Sequence, residues 1–272
     1  MTGSRVAGKV ALVTGGASGM GRADAILLAK EGATVIVTDM DNDNGKAVVN
    51  EINSLVNTEI QKASFIHHNV ADEDNWKAVI ADIKNRYGRL DILVNNAGVM
   101  KPGGILNTEL ADWQWINSIN AESQFLGCKH AIPLMEASGN GGSIINMSST
   151  SMVYGISYIS AYTASKGAID ALTRSVAVHC LEQGNGIRVN SIQPDSVRTP
   201  LVAKLTTGAD TASQADVDAL KELPTQWIEP EDVANSVLFL ASDESSCING
   251  TAILIDNGAC IRPPVGGQSD KI

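Results

Sequence analysis

Apolar residues follow two alternating rhythms along the chain. Short runs rich in valine, isoleucine and leucine recur at Val10–Thr14, Thr34–Thr38, Ala63–His67, Leu90–Asn95, Ser143–Met147, Arg188–Ile192 and Thr251–Ile255. Longer charged stretches lie between them, near 21–31, 43–56, 73–86, 109–137, 162–183 and 230–241. In the last of these Val233, Val237 and Leu240 fall at i, i+4 and i+7, one stripe of a helix. Runs apolar at successive positions offer no polar face to water, which predicts strands covered on both sides. Strands of that kind alternating with helices build a parallel sheet. The pattern therefore predicts an α/β fold: a single Rossmann-type doubly wound parallel sheet of seven strands with helices on both faces. Residues 197–228 break the rhythm with Thr, Ala, Gly and Pro, and read as a lid over the substrate.

The first strand runs directly into Thr14-Gly15-Gly16-Ala17-Ser18-Gly19-Met20-Gly21, and that turn opens a helix from Arg22 to Lys30. Glycines at such a junction permit a tight turn, let backbone approach a pyrophosphate, and allow close packing of helix on strand. The free N–H groups and dipole of the helix N-terminus favour the phosphates. Asp39 closes the second strand, where a carboxylate accepts from the adenosine ribose hydroxyls and repels a 2′-phosphate. Its neighbours Thr38 and Met40 bring no cation, and Arg22 reads as solvated, so NAD is expected in preference to NADP.

The chain has 272 residues, no internal repeat, and a single Pro/Gly/Ser-rich segment in its last dozen residues. It reads as one dinucleotide-binding and catalytic domain over 1–272, with the lid at 197–228 and a tail at 260–272. A net charge of −10 argues against nucleic acid and anionic membrane surfaces as partners. Cys128, Cys180, Cys247 and Cys260 lie far apart without metal-ligand spacing, as expected of free thiols in a reducing compartment and of a site with no metal. The N-terminus shows no signal-peptide pattern. The longest uncharged stretch, Ala137 to Ser165, is too rich in Ser, Gly, Asn and Thr for a membrane span. A cytoplasmic protein is expected.

Tyr162-Thr163-Ala164-Ser165-Lys166 places a phenol and an ammonium one helical turn apart on one face. A cation beside a phenol favours the phenolate and lets it exchange protons near neutrality. Tyr154 and Tyr158 share the spacing but have no lysine four residues on. His67 and His68 are adjacent at a strand end, point to opposite faces, and have no acidic partner in register for a metal. His130, His179, Trp113 and Trp115 read as helix residues without a catalytic part.

The glycine turn, Asn95-Asn96-Ala97-Gly98, Asn120, Ser149 and the Tyr162/Lys166 pair stand in the order and spacing of the short-chain dehydrogenase/reductases, and the resemblance spans about residues 6–258. It implies Tyr162 as general acid/base, with Lys166 holding the nicotinamide ribose and depressing the tyrosine pKa. Ser149 resembles the serine that holds the substrate oxygen, with Ser148 and Ser151 as competitors. Asn120 resembles the asparagine that kinks a helix and holds a relay water. Gly15, Ser18, Gly19, Met20, Gly21, Asp39, Asn69, Val70, Asn96, Ala97, Gly98 and Pro194 are implied to surround the cofactor, and Val197 and Thr199 to grip its carboxamide. Two departures stand out: Asn69 replaces the usual aspartate that accepts from adenine, and Pro194-Asp195 and Asp256-Asn257-Gly258 replace Pro-Gly and Asp-Gly-Gly.

Segments 119–123, 188–195 and 239–246 look most like bacterial 3β/17β-hydroxysteroid and cyclic or secondary alcohol dehydrogenases. The resemblance implies an NAD-dependent oxidoreductase that interconverts a neutral, apolar, cyclic secondary alcohol and its ketone. Rival readings are an NADP-linked carbonyl reductase and an inactive dinucleotide sensor. Substrate walls are expected from Met152, Val153, Tyr154, Ile156, Tyr158 and Ile159, and from Leu201, Val202, Leu205, Leu220, Leu223 and Trp227 of the lid. Arg198 and Lys204 are expected to face solvent. Helices 109–137 and 162–183 resemble those that pair between subunits, so a homotetramer is expected, with the tail lying on a neighbour.

Overall fold

A computed structural model describes residues 4–56 and 63–261 of the chain. Its elements, in chain order, begin with β1 (Val10–Thr14), α1 (Gly19–Lys30), β2 (Thr34–Asp39), α2 (Asn42–Leu55), β3 (Ser64–His67), α3 (Glu73–Tyr87) and β4 (Ile92–Asn95). There follow α4 (Leu110–Asn117), α5 (Ser123–Ser138), β5 (Gly142–Met147), α6 (Ser151–Tyr154), α7 (Ser160–Gln183) and β6 (Ile187–Pro194). The chain closes with α8 (Pro200–Thr207), α9 (Gln214–Ala219), α10 (Pro230–Ala241) and β7 (Ala252–Ile255).

The seven strands form one sheet in the order β3-β2-β1-β4-β5-β6-β7, and every pairing is parallel. Alternation along each strand feeds two separate cores. Ala11 and Val13 of β1 join Val35 and Val37 of β2 against Leu28, Val233 and Val237 of α1 and α10. Val10, Leu12 and Ile36 point the other way, onto Trp76, Ile83 and Met135 of α3 and α5. The strand order reverses between β1 and β4, which opens a crevice at their carboxyl ends.

Three expectations are corrected. The stretch read as one helix over 109–137 is broken by a π-helical turn at Ser118–Glu122, which turns Asn120 fully inward. The segment read as an irregular lid contains α8 and α9, whose Ala203 and Val217 form a small core with Leu220 of the following turn, Val202 and Trp227. Three of the expected substrate walls, Val202, Leu220 and Trp227, are thus packed on one another. Finally, the edge strand β7 is not covered on both faces, since Leu254 is 45% exposed. The tail lies outside the described residues from position 262 onward.

Candidate active site

The glycine turn and the turn after β4 are bolted together by Thr14 and Asn96. The Thr14 hydroxyl accepts from the N–H groups of Asn96 (3.0 Å) and Ala97 (3.1 Å). The Asn96 amide donates to the carbonyls of Thr14 and Gly15. Gly15 has φ +65°, and a Cβ there would lie 2.8 Å from the Ala97 Cα, so neither the angle nor the space admits a side chain. Beside this junction lies a cavity of about 420 Å³, within the range of small-molecule sites. Gly15, Ser18, Gly19, Met20, Asp39, Asn69, Val70, Asn96, Ala97, Gly98 and Thr199 line it, as expected.

Its walls also include residues that the sequence did not place at the cofactor: Met40, His68, Val99, Ile119, Pro200, Leu201 and Lys204. Lys204, expected to face solvent, is the only cation on this lining among the described residues. Leu201, expected against substrate, faces the dinucleotide groove. His68 is buried, with Nδ1 3.2 Å from the Thr38 hydroxyl and its ring edge-on to Trp76. Burial pushes its pKa down to about 4, so it is neutral.

Five expected cofactor contacts lie off the cavity lining: Tyr162 and Lys166, which belong to a cluster described below, and Gly21, Pro194 and Val197. A Cβ on Gly21 would meet the Gly15 carbonyl oxygen at 2.3 Å, so this glycine serves helix-on-turn packing. The Pro194 carbonyl accepts from Thr150 N–H (3.0 Å), and Val197 is buried in a bridge to Ile228.

The groove has features that fit a dinucleotide. No side chain caps the N-terminus of α1, which leaves its first N–H groups free for phosphate oxygens. At the other end Asp39 is oriented by Ala17 N–H on Oδ2 (3.0 Å) and Asp41 N–H on Oδ1 (3.0 Å). Arg22 is held by both oxygens of Glu51, at 2.5 and 2.6 Å. Asn69 Oδ1 already accepts from Ala71 N–H at 3.1 Å, so it meets an adenine amino group with its remaining lone pair.

A second cluster adjoins the groove. Lys166, buried on α7, donates to the Met147 carbonyl at 2.8 Å and sits 5.4 Å from the centre of the Tyr162 ring. Asn120 accepts from Val99 N–H (2.8 Å) and donates to the Val99 carbonyl and the Ser165 hydroxyl (3.0 Å each). A Cβ on Gly98 would lie 3.4 Å from Asn120 Oδ1 and 3.6 Å from Lys166 Nζ, so the three positions converge. Among the competing serines, Ser148 is engaged by the Lys166 carbonyl and Ser151 is fully buried, whereas Ser149 hydrogen-bonds Tyr162.

Electrostatics correct one expectation. Burial pushes the Tyr162 phenol up to about 12, opposed by its hydrogen bond with Ser149 rather than lowered by Lys166. Burial likewise pushes the Lys166 amine down to about 8, opposed by Asp170 one helical turn further on. Both groups are thus driven toward neutrality in the free protein. Asp170, which the sequence reading missed, accepts from Ser191 (2.6 Å) and, very closely, from Gln193. Only the three-dimensional pairing of α7 with β6 reveals it. Tyr154 is no helical repeat of Tyr162. It ends the separate helix α6, and its hydroxyl donates to Asp195 at 2.6 Å.

Comparison with known proteins places these observations. The family model described as "Enoyl-(Acyl carrier protein) reductase" matches residues 15–260. The chain is 41% identical over 255 residues to the 3-beta-hydroxysteroid dehydrogenase of Comamonas testosteroni, covering 93% of this chain and 96% of that one. It is 39% identical over 257 residues to the trans-4-hydroxycyclohexanecarboxylate dehydrogenase of Sinomonas cyclohexanicum, covering 93% of each. The crystal structure of a short-chain type dehydrogenase/reductase from Mycobacterium marinum superposes with a TM-score of 0.83 at 33% identity, covering 95% of this chain and 97% of the other.

Proposed function

Since the chain belongs to the short-chain dehydrogenase/reductase family, we propose that it interconverts a neutral alicyclic secondary alcohol and its ketone with NAD. The convergence of Ser149, Tyr162 and Lys166 beside a groove ended by Asp39 is the observation that carries this reading. A bound nicotinamide ring supplies the hydride acceptor. Ser149 donates to the alcohol oxygen, and Tyr162 as phenolate removes its proton. Lys166, 5.4 Å from the ring and converging with Gly98 and Asn120, is placed to hold the nicotinamide ribose, and Asn120 fixes the backbone behind it.

The NAD preference draws support from the oriented carboxylate of Asp39 and from Arg22, which Glu51 already occupies. A neutral substrate fits the charges nearby. Arg198 is taken by Glu229 and, at 3.5 Å, by Asp218, and so offers nothing to an anion. The relatives named for hydroxysteroid and 4-hydroxycyclohexanecarboxylate substrates point to a ring, the second one carrying an anionic group that the reading for this chain leaves out. We place α8 and α9 as the lid, and the chain as a single domain.

Turnover of cyclohexanol, a bicyclic alcohol and a 3β-hydroxysteroid with NAD and NADP tests the reading. NAD should exceed NADP by at least about tenfold in kcat/KM, roughly 1.4 kcal/mol. Equal use of both dinucleotides overturns the cofactor assignment. An acyl-carrier thioester turned over faster than every alcohol overturns the substrate class.

A further inference from the structure

The carboxyl edge of the sheet holds a polar cluster that none of the steps above employs. Beyond the end of β5 the chain still pairs with β6: Ser148 N–H donates to the Ile192 carbonyl (2.8 Å) and Thr150 N–H to that of Pro194 (3.0 Å). The next residue is Asp195, secured on its far side by its N–H to the Ile255 carbonyl (2.9 Å). Asp195 therefore stands beside Thr150, and Thr150 follows Ser149. Open α/β sheets bind their ligands outside the carboxyl ends of the strands, where this residue lies.

Oδ1 of Asp195 accepts from the Tyr154 hydroxyl at 2.6 Å and the Thr150 hydroxyl at 3.1 Å. Oδ2 has no partner among the described residues, and no cation pairs with the carboxylate there. One oxygen is thus fixed by two hydroxyls while the other stays open. Asp256, which accepts from Cys260 N–H at 2.8 Å, adds a second carboxylate nearby: the Cys260 thiol is pushed up to about 11 by burial first, then by Asp256 and by Asp195. This edge of the site carries negative charge and holds no group to neutralise an anion. An open carboxylate oxygen accepts readily from a ligand hydroxyl that replaces its water.

We propose that Asp195 is a specificity residue whose open oxygen accepts a hydrogen bond from a second hydroxyl of the substrate. The preferred substrate is then an alicyclic diol rather than a mono-alcohol, and rings bearing a carboxylate are rejected. Tyr154 acts as a positioning residue by holding Oδ1. The inference rests on the reading of the chain as an alicyclic alcohol dehydrogenase.

The test compares kcat/KM for cyclohexanol, the cyclohexane-1,2-, 1,3- and 1,4-diols, and 4-hydroxycyclohexanecarboxylate, with NAD. At least one diol should exceed cyclohexanol by about tenfold or more, well beyond the factor of two from its two hydroxyls. In Asp195→Ala that ratio should fall by at least about fivefold, whatever loss is common to both substrates. The carboxylate-to-cyclohexanol ratio should rise about tenfold or more. Asp195→Asn, nearly isosteric, keeps an acceptor and should retain part of the diol preference while losing the rejection of the carboxylate. It also serves if the alanine variant does not fold, as judged by melting temperature and dinucleotide binding. Wild-type protein indifferent to every diol, or variants with unchanged ratios, overturns the inference while the alcohol reading stands. No turnover of any alcohol takes down both.

Discussion

Tyr162 and Lys166 illustrate how burial sets chemistry at single residues. In the free protein each is pushed toward its neutral form, to about 12 and about 8 respectively. Tyr162→Phe should abolish nearly all turnover while dinucleotide binding, read by fluorescence quenching, persists, because only the proton-transfer group is deleted. Tyr158→Phe should keep most activity, since Tyr158 is 57% exposed. Similar losses in both variants would remove Tyr162 from its assigned part.

Asp24 on α1 makes a different case at the same scale. It is fully buried, neither oxygen has a partner among the described residues, and burial holds its carboxyl well above the usual 3.8. A carboxyl raised on folding favours the native state below its unfolded pKa, and that contribution is lost as pH rises toward the folded pKa. Asp24→Asn does not titrate. Its stability relative to wild type should therefore grow with pH above about 4, by up to about 1.4 kcal/mol per pH unit. Parallel stability–pH curves from chemical denaturation would show that Asp24 finds a partner in solution.

Among the elements, α8 is the one whose position most affects the site. Thr199 caps it by accepting from Val202 N–H at 3.4 Å, and Pro200 stands in its first turn, so local sequence alone favours a helix start there. Thr199, Pro200, Leu201 and Lys204 then form one wall of the dinucleotide groove. Occupation of the groove should bury that wall. Amide hydrogen exchange across 200–207 should slow at least about fivefold on addition of saturating NAD, with little change in α3 on the opposite side of the sheet. Unaltered exchange in α8 would separate it from cofactor binding. The π turn at Ser118–Glu122 is the complementary device, since it spends helical regularity to carry the Asn120 amide to Val99 and Ser165.

At the scale of the whole molecule, apolar surface is left uncovered along α4, α5, α7 and the β7 edge. Trp113, Trp115, Phe125, Val178, Leu181 and Leu254 are between 39% and 72% exposed. Large apolar residues gathered on adjoining helices mark surfaces that other chains cover. We propose a homotetramer. Light scattering should give four chains at micromolar concentration, and Phe125→Glu with Leu181→Glu should lower that number. A wild-type monomer would refute the proposal. The structure has no helix among its described residues that is long and apolar enough to cross a membrane.

The two-sided sheet was legible in the sequence because Ala11, Leu12 and Val13 send successive side chains to opposite faces, and all three are apolar. The glycine turn, Asp39 and the Tyr162/Lys166 spacing were legible for a similar reason: local geometry dictates those residue types at those distances. Other features required the fold. Whether 109–137 is one helix depends on Asn120 reaching Val99 and Ser165, which lie far from it along the chain. Whether Tyr154 repeats Tyr162 depends on α6 ending at Gly155, and its partner Asp195 comes from another strand. That Gly21, Pro194 and Val197 lie off the cavity lining was not legible by motif, because a glycine, a proline and a valine serve packing and ligand contact alike. The direction of the Tyr162 and Lys166 pKa shifts also belonged to tertiary structure. Spacing brings the two groups together, but desolvation depends on what the rest of the chain packs around them.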